Sequence, residues 1–460
     1  MVFQNFEFLL LFLPIFLICY QCTSSTYRKY IVLAFSLVFY AWGEPLGILL
    51  LLVLTLFNFF FVKWMDAEEG KKRLFDLIFM IIVNVFVLFY FKYYGWLLDG
   101  ISQVLPFLTY KKPTMMPLGI SFYLFSLLSY VMDVYKHKIQ SEKNIVDFAC
   151  YVTFFPKLIM GPIVRYDDFK QQLPFAKIKW ANFEEGIQVF VLGMFFKIVL
   201  ANPLGFVWMQ TQETTSMISA WLGIFAFTLQ IYFDFQGYTQ MAIGLGKMIG
   251  IRLPQNFQDP YVSTSITDFW RRWHKTLSLW FRDYIYIPLG GNRKGALIQI
   301  RNLLVVWLLT GIWHGANLTF LVWGLYYAIL LILEKYVLSS LRKKLPTLIN
   351  WLITFLLVMI GWVFFASETI QEALQYLSIM FTGDLAIDAI GKVELLNNWW
   401  ILMLAFLISI RFFTNLWERI KQKFSNWVPL FTVVTMILLW TMILLYQASD
   451  TIQSFLYFKF

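Results

Sequence analysis

Apolar stretches alternate with short polar ones along the whole chain. The apolar stretches cover about residues 6–20, 30–42, 46–62, 74–91, 117–134, 148–163, 187–207, 217–235, 302–313, 316–334, 349–366, 399–413 and 429–446. A helix rises about 1.5 Å per residue, so runs of about 15–20 apolar residues cross or nearly cross a bilayer core. The pattern predicts an all-α integral membrane protein. Several stretches are too short to cross alone. They are predicted to tilt, to pair as hairpins or to re-enter, because a backbone in lipid must satisfy its own hydrogen bonds. Gly43-Glu44-Pro45 is turn chemistry that joins two of them. No polar linker divides the chain and no long-period repeat is present, so residues 1–460 read as one membrane-embedded unit.

Composition strengthens this reading. Of 460 residues, 60% are hydrophobic, 20% aromatic and only 14% charged, more apolar surface than a soluble domain would carry. Phe6–Tyr20 is expected to persist as a helix rather than be cleaved, since no Lys or Arg precedes it and no small-residue cleavage site follows. Cys19 and Cys22 form a C-x-x-C at a helix end without a second pair. Together with Cys150 they supply no metal or disulfide framework.

The net charge of +10 resides in short loops between apolar runs, with no basic tail or aromatic-basic strip set apart for nucleic acid. Membrane lipid is the expected surrounding, and nucleic acid is not an expected partner. Lys63, Lys71, Lys72 and Arg73 load one loop, Arg342, Lys343 and Lys344 a second, and Arg419, Lys421 and Lys423 a third. Residues 367–398 hold one Lys against five Asp/Glu. Basic loops in the cytoplasm place both termini and the acidic loop outside. The mixed charges of 164–300 do not assign a side.

One polar stretch interrupts the apolar pattern. Residues 265–283 read as an amphipathic helix, with Ser265 and Asp268 as a capping start. Trp270, Trp273, His274, Leu277 and Phe281 share one face, and Arg271, Arg272, Lys275 and Arg282 take the other. Asp268 can pair with Arg271 or Arg272. The segment is too charged to span, so it lies at an interface or lines a cavity. Pro288-Leu-Gly-Gly-Asn292 then breaks the helix.

The chain has three histidines. His314 lies in an apolar run, where a buried, neutral imidazole suits a general base. Gly311 and Gly315 beside it would let a substrate approach. His274 sits among Arg271 and Arg272, whose charge disfavours an imidazolium. Each histidine can equally be a packing residue. His137, between Lys136 and Lys138, reads as a solvated loop residue. Asp234, at the end of an apolar run, needs a partner if buried, and the arginines of 271–282 are the candidates. Gly244-Leu-Gly246 follows an apolar helix and reads as helix packing, not as a phosphate loop. No H-E-x-x-H zinc pattern and no G-x-S-x-G nucleophile elbow occur.

Several segments, in order, resemble one family. They are Asp234-Phe-Gln-Gly-Tyr238, Phe269-Trp-Arg-Arg-Trp-His274, Leu277-Ser-Leu-Trp-Phe-Arg-Asp-Tyr284, Ile287-Pro-Leu-Gly-Gly-Asn-Arg293 and Trp313-His-Gly-Ala-Asn317. Pro117–Tyr123, Phe155–Ile163, Gly361–Phe365 and the terminal Phe455–Phe460 extend the likeness nearly end to end. Together they resemble the membrane-bound O-acyltransferases, and among these the bacterial branch serving alginate O-acetylation. Peptidoglycan O-acetylation membrane proteins share nearly all of the same motifs.

The resemblance implies a multi-helix fold around a central cavity, with an acyltransferase core over about 117–334 and C-terminal helices over about 349–460. It implies that His314 is the catalytic histidine and His274 its signature companion. Asp234, Arg271, Arg272, Trp273, Arg282, Asp283, Trp313 and Asn317, in the same segments, are taken as substrate-binding or supporting residues, and no metal is expected. An acyl thioester, acetyl-CoA or an acyl carrier, would be the donor, with no bound cofactor. An extracytoplasmic polysaccharide would be the acceptor, reached directly or through a separate extracytoplasmic acetyltransferase partner, at the bacterial cytoplasmic membrane. Three alternatives stand beside this: D-alanyl transfer to teichoic acid, a transporter whose buried charges line an ion path, and a scaffold that docks a secreted transferase. The transporter should show an inverted repeat, and none is visible.

Overall fold

A computed structural model describes residues 1–104, 116–173, 175–448 and 455–456. Its regular elements are helices. Among the described residues the only β pairing is an isolated bridge between Ser216 and Asp384. Nine helices in these residues are long and apolar enough to cross a membrane, from Gly47–Ala67 to Ser425–Ala448. Every predicted apolar run overlaps a helix. The run at 148–163 folds as two short pieces, Ile145–Thr153 and Phe155–Leu158, with Pro156 opening the second. The run predicted to end at 235 continues through Met217–Met248. Asp234 reads as the end of an apolar run, yet it is 1% exposed and belongs to the helix interior.

Two compact units form. The first comprises residues 1–190 and 239–254. Its interior is aromatic: Phe12, Phe16 and Phe39 surround Phe155 with ring centroids 5.2–5.5 Å away. Gly186 and Gly244 bring two helices close, since a Cβ on Gly244 would lie 2.6 Å from the Gly186 carbonyl oxygen. The expectation of helix packing at Gly244 therefore holds. Near the loop after Tyr135, Glu142 pairs with Lys170 at 2.7 Å and accepts from the Tyr166 hydroxyl and two backbone N–H groups. Burial pushes its pKa up, but these partners outweigh it and hold the carboxyl down to about 2. His137 is exposed, as expected.

The second unit comprises residues 191–238 and 255–460. Its centrepiece is a helical hairpin, Ala296–His314 and Leu318–Tyr336. Nineteen residues in each arm give about 28 Å, enough for a hydrocarbon core. Asn317 turns the hairpin: its side-chain oxygen accepts from Thr319 N at 3.1 Å and its amide donates to the Glu368 carbonyl. Thr347–Ala366 packs beside the second arm.

Candidate active site

The segment carrying His274 is built from its N-terminus. Ser265 Oγ accepts from Asp268 N at 2.8 Å and Ser265 O accepts from Phe269 N at 2.8 Å, which starts the helix Ile266–Arg272 as predicted. Arg272 pairs with Asp268 at 3.0 Å, one turn apart. The single helix expected over 265–283 is not what forms. The chain extends at Trp273 (φ −90°, ψ 129°), turns left-handed at His274 (φ 41°, ψ 55°) and re-enters a helix at Lys275–Phe281.

The cause lies upstream. Gln258 N donates to Arg272 O at 3.0 Å, Lys275 N donates to Asn256 O at 2.8 Å, and Thr276 Oγ1 donates to Asn256 Oδ1 at 2.6 Å. The first two take backbone groups that a continuous helix would need, and the third holds the Thr276 side chain to the same loop. A left-handed histidine is strained by about 1–3 kcal/mol, and such strain concentrates at functional sites.

His314 ends the first arm of the hairpin and is 4% exposed. Its ring packs against Trp313, Trp323 and Phe365 with centroids 4.8, 5.0 and 5.1 Å away. The flanking glycines act differently from expectation. A Cβ on Gly311 would sit 2.4 Å from Phe320 O, and one on Gly315 would sit 2.5 Å from the Phe320 ring. They admit the opposite arm of the hairpin, not a substrate.

Both histidines face one cavity of about 250 Å³. The face predicted from helical spacing lines it despite the break: Trp270, Trp273, His274, Leu277 and Phe281 all contribute. Leu303, Val306, Trp307, Thr310 and His314 line the hairpin side. The helical rise from Leu303 to His314, eleven steps of about 1.5 Å, makes this wall about 16 Å long. Arg271 and Arg282 also line the cavity and are exposed, which marks its open end, whereas the histidines are buried. Trp313 stands next to both imidazoles, 6.2 Å from His274 and 4.8 Å from His314 between ring centroids.

Burial drives the His274 pKa down to about 3, so its ring is neutral at physiological pH. The neutrality was expected, but desolvation rather than the neighbouring arginines is its main cause. A neutral imidazole at the end of an apolar cavity can accept a proton or a hydrogen bond. Cationic guanidinium groups at the open end can hold an anion.

Other expected site residues are placed differently. Asp234 does not meet the arginines of 271–282. Its partner is Lys197, with Nζ 2.6 Å from Oδ1, and its Oδ2 accepts from Leu456 N at 2.8 Å. Lys197 sits in a π turn, Phe196–Ala201, that aims it inward. The ring of Phe455 covers the Lys197 ammonium at 4.5 Å. Residues 457–460 of the terminal motif lie outside the described residues. Asp283 is held by Arg282 at 2.7 Å, and Asn317 serves as the hairpin's cap.

Three residues escaped sequence reasoning: Lys197, Glu334 and Asn302. Asn302 Nδ2 donates to the carbonyls of Gly291 and Leu289 and so pins the turn after Pro288. A polar residue within or at the edge of each apolar run was the available signal.

The profile of the membrane-bound O-acyltransferase family matches residues 35–367. A probable alginate O-acetylase from Pseudomonas syringae pv. tomato is 40% identical over 412 residues, covering 86% of this chain and 78% of the relative. A peptidoglycan O-acetyltransferase from Helicobacter pylori is 34% identical, covering 83% and 80%. A teichoic acid D-alanyltransferase from Bacillus subtilis is 28% identical, covering 58% and 74%. Because the family profile spans most of the chain and relatives at 40% and 34% identity cover more than four fifths of it, the protein belongs to the membrane-bound O-acyltransferases and is an O-acyltransferase.

Proposed function

We propose that the protein takes an acetyl group from a thioester on the cytoplasmic side and delivers it across the bacterial cytoplasmic membrane for O-acetylation of an extracytoplasmic polysaccharide. The observation that carries this is a shared cavity, lined by both His274 and His314, with Arg271 and Arg282 at its open end. The arginines suit an anionic donor such as acetyl-CoA or a phosphopantetheine carrier, and no carboxylate is among the described residues that line the cavity. In the reaction a hydroxyl oxygen attacks the thioester carbonyl carbon while His314 takes the hydroxyl proton. The C–S bond then breaks, the thiolate leaves, and the proton on His314 passes to it. General-base assistance of this kind contributes about 10²–10⁴ in rate. His274, neutral and buried, orients the reacting group by hydrogen bonding.

The acceptor is an alginate-like exopolysaccharide or peptidoglycan, as the names of the relatives at 40% and 34% identity suggest. These likenesses cover more of the chain than the D-alanyltransferase likeness does, which favours acetyl over D-alanyl. A separate extracytoplasmic acetyltransferase partner completes transfer to the polymer. The test is acyl transfer by the purified full-length protein in lipid nanodiscs, supplied with an acetyl thioester and an acceptor oligosaccharide, with and without the partner. His314→Gln should lose at least about 100-fold in kcat at unchanged thermal stability. Wild-type turnover by that variant would refute the role of His314.

A further inference from the structure

We infer that Glu334 is a positioning residue for acyl transfer: its carboxylate docks the short helix that walls the open end of the cavity onto the hairpin that carries His314. Glu334 lies two residues before the end of the hairpin's second arm, opposite to the His314 end. Its Oε2 accepts from Ile266 N at 2.8 Å and its Oε1 from Thr267 N at 3.1 Å. Arg342 pairs with the same carboxylate and reaches Thr354 Oγ1 at 3.4 Å. The pair is largely buried, 12% exposed at Glu334 and 20% at Arg342.

The helix Ile266–Arg272 needs this support. Seven residues make an unstable helix on their own, because nucleation is unfavourable and four N–H groups at its start lack intrahelical partners. Phe269 N makes the first intrahelical bond, to Ser265 O, and Ser265 Oγ satisfies Asp268 N. Glu334 satisfies two more of the four, on Ile266 and Thr267. The first turn is therefore complete only when a residue from the hairpin joins it.

This attachment bears on the cavity directly. Thr267, Trp270 and Arg271 on the short helix, and Leu331 one turn before Glu334, all line its wall. Without the carboxylate, the wall bearing Arg271 loses its register with the wall bearing His314. The effect falls at the open end, where the donor is held, rather than at the buried imidazoles.

The inference rests on the acyl-transfer reading, so its test includes a readout that needs no substrate. Full-length wild type, Glu334→Ala and Glu334→Gln are compared in nanodiscs for kcat and for donor KM. Glu334→Ala should raise donor KM about tenfold, with kcat within about twofold of wild type. Glu334→Gln keeps one acceptor oxygen and should recover part of that loss. A purely structural cap would lower thermal stability and leave KM of the folded fraction unchanged, and that result overturns the inference. So does a loss confined to kcat. Should Glu334→Ala not fold, the same KM shift at smaller size in Glu334→Gln decides.

The substrate-free arm places Ser278→Cys, inside the cavity, in a background lacking Cys19, Cys22 and Cys150. Glu334→Gln should speed its labelling by a thiol reagent several-fold, and equal rates would overturn the inference. If wild type turns over no thioester, the proposed function falls, and this labelling result alone judges the brace.

Discussion

Lys197 Nζ lies 2.6 Å from Asp234 Oδ1, and each side chain is 2% exposed. Removing one member of such a pair leaves a lone charge in the interior, at about 3–5 kcal/mol, whereas replacing both by apolar groups can be nearly neutral. Asp234→Ala and Lys197→Met should each lower unfolding stability by about that amount. The double variant Lys197→Met/Asp234→Leu should be more stable than either single one. Additive losses in denaturation of the detergent-solubilised protein would show that the two charges do not depend on each other.

The hairpin makes a second prediction. A Cβ on Gly311 would meet Phe320 O at 2.4 Å, so the two arms must part to accept it. Gly311→Ala should cost about 1–3 kcal/mol through overpacking. It should also reduce acyl transfer, because His314 is three residues further along the same arm. Gly100, with nothing within 4 Å of its would-be Cβ, is the matched control and should tolerate alanine. Equal melting temperatures for the two alanine variants would refute tight arm packing as the reason for Gly311.

What the chain disclosed in advance follows from the range of each determinant. Helices showed because apolar length is local: 302–313 and 316–334 are visible as two runs with a short break. The cavity face showed because Trp270, Trp273, His274, Leu277 and Phe281 repeat at helical spacing. The break at His274 was hidden, since Asn256 and Gln258 impose it from outside the segment. Pattern reading could not choose Lys197 over Arg271 for Asp234, because charge says who can pair and only packing says who is near. Glu334 went unnoticed in the sequence, because its two acceptor bonds to Ile266 and Thr267 depend on the hairpin's folding back. Gly311 and Gly315 were recognised as open positions, but what fills the opening, Phe320, was a tertiary fact.

The buried state of His274 sets a pH dependence. Its pKa is about 6.5 when unfolded and is pushed down to about 3 by burial in the folded protein. The folded form therefore binds fewer protons than the unfolded chain between these values. The stabilising contribution is full above about pH 6.5 and is lost as pH falls from there toward 3. Wild type should lose melting temperature over this window more steeply than His274→Gln, which has no such proton. Parallel melting curves from pH 8 to 4 would mean that His274 is not held neutral by burial.

The last prediction concerns the side from which the cavity opens. Arg271 and Arg282 line its exposed end, and Leu331 lines it near the end of the hairpin arm that leads into the basic residues Arg342, Lys343 and Lys344. His314 lies at the opposite end of the hairpin, beside the turn where Asn317 contacts Glu368 of the acidic segment. Basic segments flanking spans stay in the cytoplasm, which puts the open end there and the His314 end toward the outside. In a background lacking Cys19, Cys22 and Cys150, Ser278→Cys should react with a membrane-impermeant thiol reagent applied to inside-out vesicles. Leu374→Cys, on the exposed face of the helix Ile370–Thr382, should react only from the outside. An acyl thioester added first should slow the Ser278→Cys reaction and leave Leu374→Cys unchanged, because only Ser278 lines the cavity proposed to take the donor. Labelling of Ser278→Cys from the outer face alone would reverse the orientation and with it the cytoplasmic origin of the donor.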